Sequence, residues 1–95
     1  MTVRVEWDDQ KAKANLSKHD VSFEEAETVL RDPFIVVAPD PDHSESEARE
    51  IAAGLSSYGR LLLISFTQRD DSVRIISARK LTAYERRLYE EEEFP

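Results

Sequence analysis

The C-terminal quarter of the chain constrains the fold most. The apolar residues Val73, Ile75 and Ile76 are typical of a strand that is covered on both faces. Thr82 is followed three residues later by Glu85, and this spacing is a capping-box pattern that marks the start of a helix. The segment therefore predicts a buried strand, a short connection and an amphipathic helix.

Positive charge is concentrated on this segment although the chain as a whole is acidic. The net charge is −7, yet residues 57–89 hold seven cations and only three anions. Five of these cations lie on the predicted strand end and the first turns of the helix: Arg74, Arg79, Lys80, Arg86 and Arg87. A focused basic site on an acidic body fits this distribution better than a general nucleic-acid coat protein does.

Length and composition predict one soluble domain that spans residues 1–95. The chain has no cysteine, which excludes disulfides, thiolate metal sites and cysteine nucleophiles. Its longest strongly apolar run, Leu61 to Phe66, is far too short to span a membrane. Acids near the N-terminus argue against a signal peptide, so we expect a cytoplasmic protein with no membrane association.

Hydrophobic periodicity and capping signals predict the order β-α-α-β-β-β-β-α. Asp8 is a good N-cap for a first helix that runs to about Lys18, and Asp20 takes the position after it, where a left-handed turn favours Gly. Ala12 and Leu16 are the expected apolar residues of this helix, whereas Lys11, Asn15 and Lys18 share a polar face. Ser22 and Glu25 have the S-x-x-E spacing of a capping box and mark the start of the second helix. Short turns join the later strands. We therefore expect an α+β domain in which a small antiparallel β-meander carries two N-terminal helices and one C-terminal helix on one face.

The polar segment from Asp40 to Glu47 resembles a metal-ligand cluster in composition alone. Asp40, Asp42, His43 and Glu45 lie close together, but the glycine and distal glutamate of a calcium loop are missing. We interpret the segment as a solvated acidic loop and expect no metal and no cofactor.

Two glycines cannot form a glycine-rich phosphate cradle, so phosphate binding would depend on side chains, arginine above all. Each arginine also has a structural interpretation. Arg74, within the strand, is expected to pair with a neighbouring acid, whereas for Arg49 and Arg79 both interpretations stay open. Glu85 and Arg86 can equally be a capping residue and a surface charge.

Three motifs along the chain form a recognisable combination. The pattern W-D-x-x-K-x-x-x-N-x-x-K-H-x-V-S-F-E-E-A occupies residues 7–26, D-P follows at Asp32–Pro33, and R-I-I-S-A-R occupies residues 74–79 with E-R at Glu85–Arg86. Together these motifs resemble the BrnT family of toxins, and the resemblance covers about residues 5 to 89. Two positions depart from the family pattern, since His19 is followed by Asp20 where the family commonly has Gly, and Glu47-Ala48-Arg49 stands where many members have E-E-R.

The resemblance implies a ribonuclease toxin of a bacterial type II toxin–antitoxin pair, with a RelE-like fold and metal-independent RNA cleavage. The catalytic residues that we then predict are Arg49 and Arg79 for phosphate, Glu85 or His19 as the base, and Arg86 to orient Glu85 or bind phosphate. The predicted RNA-binding residues are Lys11, Lys18, Lys80 and Tyr84, the last by stacking on a base. Lys11 and Lys18 also have a simpler interpretation as solvated residues, and Tyr84 as a cover for the core edge.

The resemblance also implies a BrnA-like antitoxin as the partner, with DNA contacted only through the complex and with a homodimer or heterotetramer as possible assemblies. An alternative is a non-catalytic module whose acidic parts dock a basic DNA-binding partner. A third interpretation is a structural homodimer formed through an edge strand at residues 34–38.

Overall fold

The computed structural model describes residues 4–40 and 48–93. Its elements follow the predicted order: β1 (Arg4–Glu6), α1 (Asp9–His19), α2 (Phe23–Val29), β2 (Val36–Pro39), β3 (Arg49–Leu55), β4 (Leu61–Arg69), β5 (Ser72–Lys80) and α3 (Ala83–Glu90). None of the helices in these two ranges is long and apolar enough to cross a membrane.

The five strands form one mixed sheet in the order β1-β5-β4-β3-β2. Strands β2 to β5 are the antiparallel meander that the short turns predicted. The prediction is wrong for β1, which pairs parallel with β5 at Arg4–Ser72, Val5–Val73 and Glu6–Arg74. Both N-terminal helices lie between these two strands in sequence, and a long connection of this kind allows parallel pairing. The expectation of a purely antiparallel, RelE-like sheet is therefore not fully matched, because the sheet is mixed.

Local capping signals set the helix ends as predicted. The Asp8 carboxylate accepts a hydrogen bond from the Lys11 N–H at 3.0 Å, and Asp20 takes the left-handed conformation after α1 with φ 58°. Thr82 and Glu85 form a complete capping box at the start of α3. These ends are encoded by residues close in sequence, which is why the sequence predicts them well.

The apolar core lies between one face of the sheet and the first two helices. Val21, Phe23, Ala26 and Val29 pack there against residues of β3, β4 and β5: Ala52, Leu62, Ile64, Phe66, Ile75 and Ala78. Helix α1 presents Asn15 to this interior, whereas Leu16, expected on its apolar side, is 50% exposed. The helix is therefore rotated relative to the prediction.

The opposite face of the sheet carries the arginines. Residues paired across antiparallel strands point to the same side, so Arg49, Thr67 and Arg74 form one row across three strands. Val36 also belongs to this face through its pairing with Ala53. The end of α3 lies near it. The prediction that all three helices pack on one face is therefore wrong for α3.

Asp32 connects the end of α2 to the sheet. Its carboxylate accepts hydrogen bonds from the Phe34 N–H at 3.0 Å and from the Leu55 N–H at 2.8 Å. Gly54 permits this approach, because a Cβ there would lie 3.0 Å from Asp32 Oδ2 and 3.1 Å from Val29 Cγ1. Asp32 of the D-P pair therefore has a structural role: it fixes the connection between α2 and β2 beside the end of β3.

Candidate active site

Arg79 and Glu85 form a two-point ion pair where β5 leads into α3. Arg79 Nη1 donates to Glu85 Oε1 at 2.8 Å, and Nη2 donates to Oε2 at 3.0 Å. Glu85 Oε1 also accepts the Thr82 backbone N–H at 2.9 Å, and Arg79 Nη1 donates to the Lys80 carbonyl at 3.1 Å. The guanidinium is held in one plane, as the bidentate geometry requires.

This pairing sets the protonation of both groups. The hydrogen bonds from Arg79 are the largest cause that lowers the pKa of Glu85, from 4.5 to about 2, against the opposing effect of burial. The pKa of Arg79 is raised by the same contact. Glu85 is therefore an anion at neutral pH, and a carboxylate of such low pKa is a weak base.

Arg49 lies on the same face as Arg79 but at the other end of the sheet. Arg49 pairs with Thr67 of β4, and Arg79 pairs with Leu63, four residues away on the same strand. The rise per residue and the strand spacing place the two arginine Cα atoms about 16 Å apart. Two such arginines can contact different phosphates of one strand, but their backbones are too far apart for them to bind one phosphate as adjacent residues do.

Three of the predicted residues come together beside β5. Lys11, Lys18 and His19 line a shallow concavity of about 220 Å³ with Ile76 and Ser77. Ser77 is paired with Ser65, on the same face as Arg79, and precedes Arg79 by two residues. The concavity therefore opens about 7 Å along the strand from the Arg79 backbone.

The remaining predicted residues lie at the end of β5 and in the first turns of α3. Tyr84 is 62% exposed, with the Arg87 guanidinium carbon 5.8 Å from its ring centroid. Lys80 and Arg86 are exposed as well. The side chain expected to orient Glu85 was that of Arg86, but the guanidinium hydrogen-bonded to this carboxylate belongs to Arg79.

Arg74 has the structural contact expected of it. Its Nη1 donates to Glu6 Oε2 at 2.9 Å, across the parallel pairing of β1 with β5. Hydrogen bonds from Ser72 and then from Arg74 lower the pKa of Glu6. The pair joins the two strands, and it directs Arg74 towards Glu6 and not towards the Arg79–Glu85 pair.

The chain is similar to known proteins in sequence and in fold. The family model described as "Ribonuclease toxin, BrnT, of type II toxin-antitoxin system" matches residues 7–85. The chain belongs to the BrnT family. The crystal structure of the Brucella abortus ribonuclease toxin BrnT superposes with a TM-score of 0.67 at 23% identity, covering 85% of this chain and 99% of that one. At this identity the superposition establishes a shared fold. No curated protein sequence matches the chain.

Membership of the BrnT family implies an antitoxin as partner, since the family consists of ribonuclease toxins of type II toxin–antitoxin systems. The matched range contains every predicted site residue except Arg86. It therefore includes both the Arg79–Glu85 pair and the concavity beside β5.

One residue of the BrnT pattern, Asn15, has a role that sequence reasoning missed. Its Nδ2 donates to the carbonyls of Val21 at 2.9 Å and Ala78 at 2.8 Å, and its Oδ1 accepts the Ala78 N–H at 3.0 Å. The side-chain amide thus bonds the edge of β5 as a neighbouring strand would. Asn15 fixes α1, with Lys11 and Lys18, to the strand that carries Arg79. Its spacing from Lys11 and Lys18 suggested a polar, solvated face, so it gave no signal of burial.

A second missed contact is the ion pair of Glu25 with Arg60. Ser22 caps α2 as predicted, but the Glu25 carboxylate is buried and accepts hydrogen bonds from Arg60 Nε at 2.9 Å and Ser56 Oγ at 2.8 Å. Arg60 Nη2 donates to the Asp20 carbonyl at 2.9 Å. The S-x-x-E spacing indicated only local capping, because a partner 35 residues away leaves no sequence signal.

Within residues 4–40 and 48–93, no group of three or more histidine, aspartate or glutamate side chains could hold a metal ion. Asp42, His43 and Glu45 of the acidic segment lie outside the described residues.

Proposed function

We propose that this protein is a cytoplasmic, metal-independent endoribonuclease, formed by a single toxin domain over residues 1–95 and neutralised by a BrnA-like antitoxin. The observation that carries the proposal is the Arg79–Glu85 pair, on the sheet face opposite the apolar core. A guanidinium fixed in this way is a preorganised donor for the charge that develops on phosphorus.

RNA supplies its own nucleophile, the 2′-hydroxyl, so the protein has to orient the phosphate, accept a proton and stabilise the phosphorane. Arg79 donates three hydrogen bonds within the described residues, to Glu85 and Lys80. Its remaining N–H groups, on Nε and Nη2, are suitable donors for phosphate oxygens. Arg49, on the same face, is proposed to bind a second phosphate of the strand.

For the proton transfer we favour His19 over Glu85. Imidazole is the side chain best suited to accept and return a proton near neutral pH. Glu85 is better suited to hold Arg79, because its pKa is lowered to about 2. Lys11 and Lys18, which line the same concavity as His19, are proposed to hold flanking phosphates. Lys80 and Arg86 would add phosphate contacts near α3, and Tyr84 would stack on a base.

Cleavage of a labelled single-stranded RNA by the purified chain in EDTA tests this proposal. We expect products that end in a 2′,3′-cyclic phosphate and no cleavage of a substrate with 2′-deoxy sugars. Arg79→Ala should lower the cleavage rate about 100-fold or more, as removal of one preorganised donor does. Arg49→Ala should also slow cleavage.

The matched control is Arg31→Ala, which removes the same side chain from an exposed ion pair with Glu27 at the end of α2. This variant should cleave at the wild-type rate. Circular dichroism and melting curves confirm that each variant is folded. Cleavage by folded Arg79→Ala and Arg49→Ala proteins at the wild-type rate would contradict the proposed site.

Expression in bacteria distinguishes the toxin from a non-catalytic docking module. A ribonuclease toxin should stop growth, and co-expression of the antitoxin should restore it. Growth arrest by the wild type together with normal growth of cells that express Arg79→Ala would support catalysis, whereas normal growth with both proteins would favour the docking module. DNA binding is expected only for the complex of toxin and antitoxin. Light scattering measures whether this complex is a heterotetramer or another assembly.

A further inference from the structure

Strand β2 forms one edge of the sheet. It is only four residues long and ends at Pro39, but it carries no charge that would protect the edge. It pairs with β3 on one side, and within the described residues no strand lies on the other. The segment from Phe34 to Ala38 contains no charged residue, although natural edge strands commonly carry lysine or another charge. Phe34 is 79% exposed and Val37 is 48% exposed.

Each face of the sheet carries a partly apolar concavity that reaches this edge. On the helix side, Val37 lines one end of a concavity of about 380 Å³ that extends across the sheet to Val73 and Val5. Val36 and Phe34 line a second concavity of about 390 Å³ on the other side, together with Tyr89 of α3. Because side chains alternate along a strand, a strand added beside β2 would direct its side chains in turn towards the exposed Val37 and towards Phe34 and Val36.

The charge around the second concavity indicates what would bind there. Glu90 and Glu92 line it, and the run of acids continues through Glu93. Burial and the nearby Asp32 carboxylate raise the pKa of Tyr89, which agrees with a negative environment at this position. A lysine or arginine whose stem lies on Phe34 and Val36 would bring its charge to these carboxylates.

We propose that the edge of β2 is a docking site for an extended segment of a basic partner protein, with aliphatic and basic side chains alternating, which adds to the sheet as a sixth strand. Backbone hydrogen bonds supply the binding, aliphatic side chains pack on the exposed Val37, and cations face Glu90 and Glu92. The identification of this partner as the antitoxin rests on the proposed function, whereas the docking itself does not.

A second copy of the chain is a poor occupant. Its own edge segment offers no cation, and the net charge of −7 makes two copies repel each other. RNA is excluded as well, because an acidic rim repels phosphate.

The test uses the full chain and a fluorescein-labelled peptide of eight residues in which lysine and valine alternate. Fluorescence anisotropy should show binding that weakens as salt is raised. The same peptide with glutamate in place of lysine should bind at least tenfold more weakly. Hydrogen–deuterium exchange should slow at residues 36–38 when the lysine peptide is present; Pro39 has no amide hydrogen to exchange.

Two variants locate the site. Val37→Lys places a cation at the edge and should weaken binding at least tenfold. The matched control is Leu16→Lys on α1, since Leu16 is 50% exposed and Val37 48%; this variant should bind within twofold of the wild type. The double variant Glu90→Gln with Glu92→Gln changes only exposed residues and should also bind at least tenfold more weakly. It tests the site independently if Val37→Lys proves unstable.

Several results would overturn the inference. These are equal binding of the two peptides, unchanged binding by both variants, or slowed exchange elsewhere in the chain. Dimerisation of the free chain that Val37→Lys abolishes would assign the edge to a second copy, and displacement of the peptide by RNA would assign it to nucleic acid. RNA cleavage is measured separately, so an inactive chain that binds the peptide at β2 would remove the proposed function and leave the docking site intact.

Discussion

The Glu85 carboxylate holds the Arg79 guanidinium through two hydrogen bonds of 2.8 and 3.0 Å, and it also accepts the Thr82 backbone N–H at 2.9 Å. One side chain therefore completes the capping box of α3 and orients the arginine at the end of β5. The start of the helix and the position of the proposed phosphate ligand depend on the same carboxylate.

Replacement of this carboxylate should separate orientation from proton transfer. Glu85→Gln keeps an acceptor for the Thr82 N–H but removes the negative charge that holds the Arg79 guanidinium. We therefore expect the RNA cleavage rate to fall about tenfold while the pH–rate profile keeps its shape. A base would behave differently, because its loss removes the limb of the profile that reports its ionisation. Single-turnover rates from pH 4 to 9 provide the measurement.

His19→Gln is the companion variant. We expect it to lower cleavage by about 100-fold or more and to remove the limb of the profile that rises with pH, as the loss of a general base does. Should Glu85→Gln lose that limb and His19→Gln keep it, the two roles would have to be exchanged.

The Arg79–Glu85 pair should also contribute to stability in a defined pH range. The folded-state pKa of Glu85 is about 2, below its usual 4.5, so the contribution is present above about pH 4.5 and is lost as the pH falls towards 2. The Arg79 side chain is 38% exposed, and solvent screening therefore limits the contribution to about 1–2 kcal/mol.

Urea denaturation of the wild type and Glu85→Gln between pH 2 and pH 6 measures this contribution. The difference in unfolding free energy should shrink as the pH falls, because other carboxylates contribute equally to both proteins. A difference that stays constant across this range would show that the ion pair adds nothing to stability.

The buried Glu25–Arg60 pair predicts a reversal in pH dependence. In the wild type, hydrogen bonds from Arg60 lower the pKa of Glu25, so its contribution to stability is lost as the pH falls through the folded-state pKa. In Arg60→Met the largest cause that lowers this pKa is lost, and burial is then opposed only by the smaller effects of the Ser56 hydrogen bond and the Lys80 charge. The pKa of Glu25 should therefore rise above 4.5, and stability should decrease as the pH increases towards it. We expect a loss of about 3–5 kcal/mol at pH 7, since a buried charge is left unpaired.

The control for this prediction is the double variant Glu25→Leu with Arg60→Met. It should recover much of the lost stability, because no buried charge remains. It should show neither the loss of stability at low pH expected for the wild type nor the loss at higher pH expected for Arg60→Met. Thermal melts between pH 3 and pH 8 distinguish the three proteins. Parallel curves for the wild type and Arg60→Met would disprove the assignment.

Asn15→Ala should be strongly destabilising although Asn15 is polar and lies on a helix. The change leaves the buried Ala78 N–H and the carbonyls of Ala78 and Val21 without their partner. We expect a loss of about 2–4 kcal/mol in urea denaturation, since each unsatisfied buried group has a desolvation cost. Ser17→Ala, on the exposed side of the same helix, should change stability by about 0.5 kcal/mol or less. A small effect of Asn15→Ala would show that water replaces the amide.

The sequence by itself determined the order of the elements and several of their ends. Asp8, Asp20 and the Thr82–Glu85 box act on backbone groups within a few residues, so their patterns are sufficient to predict the helix limits. The family motifs indicated ribonuclease toxins because several of them recur together in this chain.

Only the tertiary structure decided how these elements combine. The parallel pairing of β1 with β5, the burial of Asn15 against Ala78 and the contact of Glu25 with Arg60 join residues far apart in the chain. Such contacts depend on which face of a helix packs against which strand. Hydrophobic periodicity gives the wrong face for α1, because Asn15 is buried and the neighbouring Leu16 is exposed. The two hydrogen bonds between Arg79 and Glu85 also became evident only in the tertiary structure. The capping pattern of Glu85 gives no indication of a second partner across the junction of β5 and α3.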